Sequence, residues 1–227
     1  MSDIFMFSAD ASVKQLGVKG VYFTMTGLQN KVTDERFENY KNDCLNHLSD
    51  QLQSSVLDTS PVLAGFRTLH TKINRSNKKY VASPENLLQI FLKHRSLPKI
   101  NLLVDIYNLI SLKYFLALGA HDIVAVNSNI TLKLADGTET FHPLGYTDSR
   151  PVQAGDYIYA DDSHNVLCYM EVKQCEKSKV TLETTDSFYI VQGHAQTDND
   201  YLKTAADELI ALTQDFCGGK AEILCCF

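Results

Sequence analysis

The chain has 227 residues, 44% of them hydrophobic and 21% charged, with a formal net charge of −6. These values exclude a disordered or collagen-like chain, and the length bounds the answer at about 1.5 domains. No window reaches the ~18 uninterrupted apolar residues that a membrane span needs. The opening MSDIFMFSAD carries Asp3 but no Lys or Arg ahead of its apolar stretch, which is not the pattern of a secretory leader. A cytoplasmic protein with no membrane partner is therefore expected. Cys44, Cys168, Cys175, Cys217, Cys225 and Cys226 form no C-x-x-C pair, and the seven histidines show no H-x-x-x-H spacing. Reduced thiols, no metal site and no cofactor are the expectation. Leu224 occupies the position at which a prenylation box requires cysteine.

The first elements read as β. Phe5–Phe7 is a short apolar run, and Val18–Met25 is a β-branched and aromatic run between Gly17 and Gly27. From Thr33, Phe37, Tyr40, Cys44, Leu45, Leu48 and Leu52 recur at helical spacing, with acids in the first turn where the helix dipole favours them. Ser60-Pro61 starts a second helix that runs to about Ile73, because Ser caps and Pro suits the first helical position. Asn74–Tyr80 is a polar, basic loop, and Ser83-Pro84-Glu85 opens a third helix closed by Pro98. Ile100–Phe115 is apolar almost all round, the pattern of a buried helix. Asp105 and Asn108 interrupt it, three residues apart and on one face.

Beyond Gly119 the period changes to two. Ile130–Leu134, a turn at Asp136-Gly137 and Thr140–Pro143 read as a hairpin. Asp156–Ala160, Val166–Val172, Lys179–Thr184 and Phe188–Val191 read as further strands. Asp200–Phe216 reads as a helix stopped by Gly218-Gly219, and Ala221–Phe227 as a final strand. Helices followed by a block of strands predict an α+β fold. N-terminal strands and helices would pack on an antiparallel multi-stranded β core, with a C-terminal helix. The chain is expected to form a single globular unit, its first 82 residues completing the core.

Charge is unevenly placed. Between residues 61 and 100, Arg67, Lys72, Arg75, Lys78, Lys79, Lys93, Arg95 and Lys99 face a single acid, Glu85. That segment is +7 and the remainder −13. Such polarity suits a phosphate backbone held on one face, and equally suits solvated helix surfaces.

Standard catalytic patterns are missing: no Gly-rich phosphate loop, no G-x-S-x-G elbow, no H-E-x-x-H. Asp161-Asp162 reads as a turn or strand cap. His121-Asp122 offers a general base with a neighbouring carboxylate, although adjacent residues on an extended segment point to opposite faces. The Asp105/Asn108 pair must be hydrogen-bonded if buried, either to anchor a loop or to line a pocket.

The stretch Leu97–Asp122 (LPKINLLVDIYNLISLKYFLALGAHD) resembles the B3/B4 editing domain of the phenylalanyl-tRNA synthetase β subunit. The likeness continues through Gly137–Phe141, Tyr159-Ala160-Asp161, Gln174–Val180 and Glu183-Thr184 to a strand ending at Gly193. It spans about residues 83–193, and it is similar to the stand-alone proteins built around that domain. The resemblance implies an α+β unit with stacked sheets that hydrolyses tyrosine wrongly esterified to phenylalanine tRNA. It carries the family's Asp-x-x-Asn onto Asp105 and Asn108, its following Asp onto Asp122, and its Glu-Thr onto Glu183 and Thr184. Gly119 stands where the family has a pocket histidine, Met170-Glu171 near its paired-glycine loop, and Ile190 where it has the tyrosine-reading carboxylate. His121, two positions from the lost histidine, is a candidate substitute.

Two functions follow as expectations. In the first, a free-standing domain hydrolyses misacylated tRNA in trans. Asp105, Asn108, His121 and Asp122 would be catalytic, and Gly119, Glu183, Thr184 and Ile190 would line the pocket. Arg67, Lys72, Arg75, Lys78, Lys79 and Tyr80 would hold the RNA rather than DNA. In the second, the same scaffold binds RNA, a free amino acid or another small molecule without catalysis. An aminoacylating enzyme is excluded, since no synthetase catalytic motif or ATP site is present.

Overall fold

Residues 5–227 are described by the computed structural model. The chain opens with β1 (Phe7–Ala9), α1 (Ala11–Leu16) and β2 (Val18–Thr26). It then turns helical through α2 (Glu35–Gln51), α3 (Val56–Thr59), α4 (Pro61–Lys72), α5 (Ser83–His94) and α6 (Leu102–Tyr114). Strands follow as β3 (Ala117–Asp122), β4 (Ile130–Leu134), β5 (Thr140–Phe141), β6 (Arg150–Pro151), β7 (Tyr157–Asp161), β8 (Val166–Tyr169), β9 (Lys173–Gln174) and β10 (Ser187–His194). A long helix, α7 (Asn199–Cys217), and β11 (Lys220–Cys226) complete the order. The class is mixed α+β with a C-terminal helix, as the sequence predicts.

Helix boundaries follow their caps. Asp34 accepts from the amides of Arg36 and Phe37, so α2 begins one residue later. Ser60 accepts from Leu63 with Pro61 in the first turn, and Asn101 accepts from Val104 to start α6.

Two sheets stack beneath the helices. The inner sheet has the order β11-β2-β10-β3 and is antiparallel throughout. The outer sheet, β1-β4-β7-β8-β9, is antiparallel except for the parallel β1–β4 pair. The pleat of the inner sheet separates two cores. Val21, Phe23, Met25, Leu118, Ala120, Tyr189 and Val191 pack with the helices, whereas Tyr22, Ala117, Phe188 and Ile190 pack toward the outer sheet. Phe23 and Tyr189, paired across β2 and β10, stack at 4.9 Å between ring centroids. All eight residues of β10 are buried, because its strand is covered on both faces.

Three expectations are corrected. Ile130–Leu134 and Thr140–Phe141 do not form a hairpin: β4 lies between β1 and β7, and β5 pairs with β6. The Glu139 carboxylate accepts from the amides of Asp136 and Gly137 and pairs with Lys133, so the turn closes on a side chain and not on a strand ladder. Val166–Val172 ends as a strand at Tyr169, where Met170 adopts φ +51° and turns the chain. Lys179–Thr184 is a turn after a single bridge at Lys179, closed by the Thr184 hydroxyl accepting from the Thr181 amide at 3.0 Å.

Candidate functional site

A cavity of about 170 Å³ opens where the edge strand β3 of the inner sheet faces the outer sheet. Tyr107 and Asn108 of α6, Gly119 of β3 and Ile190 and Gln192 of β10 supply one side. Tyr159, Cys168 and the turn Met170–Gln174 supply the other. The volume is close to that of a ~150 Å³ cavity that admits benzene, and below the ~300–1,000 Å³ of cofactor pockets. It suits one amino-acid side chain, not a nucleotide.

Glycine at 119 makes room for a neighbouring side chain. A Cβ there would lie 2.1 Å from Gln174 Nε2, so the missing side chain lets Gln174 fold against the strand and form the wall. The floor is polar. Glu171, buried, accepts from the Tyr157 hydroxyl and from Gln192 Nε2 at 3.2 Å, and its other oxygen lies 2.5 Å from His70 Nε2. Gln192 Oε1 accepts from Tyr159 at 2.6 Å, whose hydroxyl meets that of Tyr22 at 3.2 Å. Burial opposes the charge on His70, but its bond to Glu171 outweighs burial and holds the imidazole above its ordinary value. Burial and the Glu171 charge push the Tyr157 phenol well above its usual range, so it stays a neutral donor.

The predicted site residues divide. Asn108, Gly119 and Ile190 meet at this cavity. Asp105 does not line it: its carboxylate accepts from the Ile100 amide at 2.9 Å and sits 3.7 Å from Lys41 Nζ of α2. Burial raises the Asp105 carboxyl, opposed by the Ile100 amide and Lys41. The two polar positions of α6 thus serve different neighbours. Asp122 caps the short helical turn Ile123–Ala125 through the Val124 amide at 2.9 Å and accepts from the Thr184 hydroxyl at 2.7 Å. Thr184 is buried in that clasp while Glu183 is exposed. His121 is fully buried, with Nδ1 2.8 Å from the Ser178 hydroxyl, and burial pushes it down to about 4. It does not line the cavity. Asp161 and Asp162 cap the turns around Asn127–Asn129 and Ser163–Asn165.

The basic segment is partly internal. Arg67 pairs with Glu85 at 2.9 Å and donates to the Leu57 carbonyl at 2.6 Å. Arg75 Nε lies 2.6 Å from Asp156, a carboxylate with no exposure that also accepts from Tyr169. Lys72 donates to the Leu16 carbonyl at 2.6 Å. Lys78 and Lys79 are exposed, and Lys79 Nζ lies 5.3 Å from the Tyr80 ring centre.

Sequence reasoning missed the buried pairs His70–Glu171 and Arg75–Asp156. Their signal was an acid beside apolar, aromatic strands: Glu171 follows VLCYM, and Asp156 precedes YIYA. Among the described residues no group of three or more His, Cys, Asp or Glu is placed to hold a metal, and no helix is long and apolar enough to cross a membrane.

Stacked inner and outer sheets under a helical layer, with a cavity at the inner sheet's edge, define an α+β domain with an amino-acid-sized pocket. The B3/4 domain family matches residues 67–218, and the chain belongs to that family. Its fold is also similar to an N-terminal fragment of the phenylalanyl-tRNA synthetase β subunit from Pyrococcus horikoshii, with a TM-score of 0.52 and 17% identity. That alignment covers 96% of this chain and 50% of the archaeal one, so the chain spans about half its length. No curated protein matches the chain.

Proposed function

We propose that this B3/4 protein is a free-standing editing-type domain that binds tRNA and hydrolyses a wrongly attached amino acid in trans. The observation that carries the reading is the 170 Å³ cavity at Asn108 and Gly119, sized for one side chain and lying within the B3/4 region. An aminoacyl ester is already activated, so hydrolysis needs an oriented water more than a strong base. The Asn108 amide and Gln174 at the cavity wall are the groups suited to orient it. His121 is not required, and Asp105 and Asp122 act by holding α6 and β3. Exposed Lys78 and Lys79 are placed to meet phosphates of the RNA.

The second reading, a binding module for a free amino acid or RNA, is favoured by one observation. The cavity's carboxylate, Glu171, is already engaged by His70, Tyr157 and Gln192, which leaves no free general base there. Deacylation of a panel of correctly and wrongly charged tRNAs separates the two. Accelerated release from one mischarged species, reduced at least about tenfold by Asn108→Ala, is the expected result. No release from any species would leave the binding module.

A further inference from the structure

A single exposed aromatic ring beside the cavity carries two cations. Tyr146, 48% exposed, lies on the loop between β5 and β6. Lys173 Nζ is 4.9 Å and the Arg150 guanidinium carbon 5.0 Å from its ring centre. Lys173 is also a wall residue of the cavity, so one side chain spans the ring and the pocket.

The loop is pinned in place. The Leu144 amide donates to the Gln174 carbonyl at 2.8 Å, and the Glu176 amide donates to the His142 carbonyl at 2.9 Å. The Gly145 amide donates to the Glu176 carboxylate at 3.0 Å, and the Tyr146 amide closes a turn on the Pro143 carbonyl at 3.0 Å. Tyr146 is therefore registered against the same segment, Lys173–Gln174, that walls the pocket. Its exposure is not that of a loosely held loop tip.

We infer that Tyr146, flanked by Arg150 and Lys173, is the stacking platform for the 3′-terminal base of the RNA whose esterified amino acid enters the cavity. Lys173 and Arg150, which lie over the ring here, would turn to the adjoining phosphate as the base takes the π-face, the combination used on single-stranded nucleic acid. A cationic or purely apolar partner would leave both charges unmatched. In an aminoacyl-tRNA the ester and the terminal base are carried by one ribose. A base platform next to the side-chain pocket is what that geometry demands. The identity of the RNA rests on the editing reading above; the platform itself does not require hydrolysis.

The test is fluorescence anisotropy at low salt with an uncharged RNA hairpin carrying a single-stranded ACCA 3′ end, and with the same hairpin lacking the last adenosine. The protein is expected to bind the ACCA form more tightly. Tyr146→Ala should weaken that binding about 5- to 150-fold and abolish the preference, since stacking on an aromatic is worth that much per base. Tyr146→Phe should retain it. Arg150→Ala should flatten the dependence of log affinity on log salt by about 0.7. Unchanged affinity in Tyr146→Ala, no preference for the terminal adenosine, or no binding by the parent protein would each overturn the inference. Preference for the adenosine without deacylation of any charged tRNA would sustain the platform and remove the editing reading. Deacylation by Tyr146→Ala at the parent kcat/KM would overturn the platform and leave editing standing.

Discussion

Replacing His70 with alanine tests the polar floor most directly. The substitution leaves Glu171 buried with Tyr157 and Gln192 as its donors and without a positive charge. Breaking a buried pair from one side costs about 3–5 kcal/mol. With about 2.1 cal/mol/K of unfolding entropy per residue over 227 residues, the transition entropy is near 0.5 kcal/mol/K. The melting temperature should therefore fall by about 6–10 °C at pH 6, read by differential scanning calorimetry. The pH dependence has a definite sign. His70 titrates higher in the folded state than unfolded, so its stabilisation is complete below about pH 6.5 and is lost as pH rises through the folded value. The gap between parent and variant should narrow from pH 6 to pH 9. The double variant His70→Ala, Glu171→Gln should recover part of the loss, because it removes the unpaired charge with its partner. A drop below about 2 °C at pH 6, or a gap that widens with pH, would refute this account of the floor.

Three further outcomes are expected. Gly119→Ala should displace the Gln174 amide from the cavity wall at a cost of about 1 kcal/mol, because the clash is with the far end of a flexible side chain; deacylation or ligand affinity should change far more than the urea midpoint. Asp105→Ala should destabilise by about 2 kcal/mol in urea titration, since it strips the Ile100 amide of its acceptor while Lys41 keeps Glu38 at 2.8 Å, and the deacylation rate of the folded fraction should stay near the parent's. Native-state thiol labelling followed by peptide mapping should find exposed Cys226 modified first. Cys217, which burial pushes up to about 12, should remain unreacted until the protein unfolds, as should buried Cys168 and Cys175.

Much of the helical half could be read directly because its signals are local. Ser60-Pro61 and Ser83-Pro84 fix helix starts within a few residues, and Gly218 closes α7. The sheet half was legible as strands but not as partners. Pairing of β4 with β1 and β7 depends on side chains such as Glu139, which folds the expected hairpin turn onto itself. Strand β3 was missed because Ala117, Gly119 and Ala120 are too small to show alternation. At the site, Asn108 and Asp105 share a helix and a spacing, yet Lys41 of α2 captures only Asp105. No helical period encodes which of two polar residues a distant lysine will meet. The acid in the cavity floor was hidden for a related reason: Glu171 becomes intelligible only beside His70, about a hundred residues earlier in the chain.

The first strands of the chain also govern when it can fold. β1 joins the outer sheet through β4, its Phe7 opposite Ile130, while β2, separated from it by α1 alone, lies between β10 and β11 of the inner sheet. A stretch of about twenty residues thus stitches two sheets whose other members are made about ninety or more residues later. During synthesis β1 has no partner until β4 emerges, and β2 has none until β10, in the last fifth of the chain. Loop closure on that scale precedes most of the pairing energy, so assembly is expected to be slow and nearly concerted. Chains halted after α6 would present unpaired β1 and β2 edges, the kind of surface that templates aggregation.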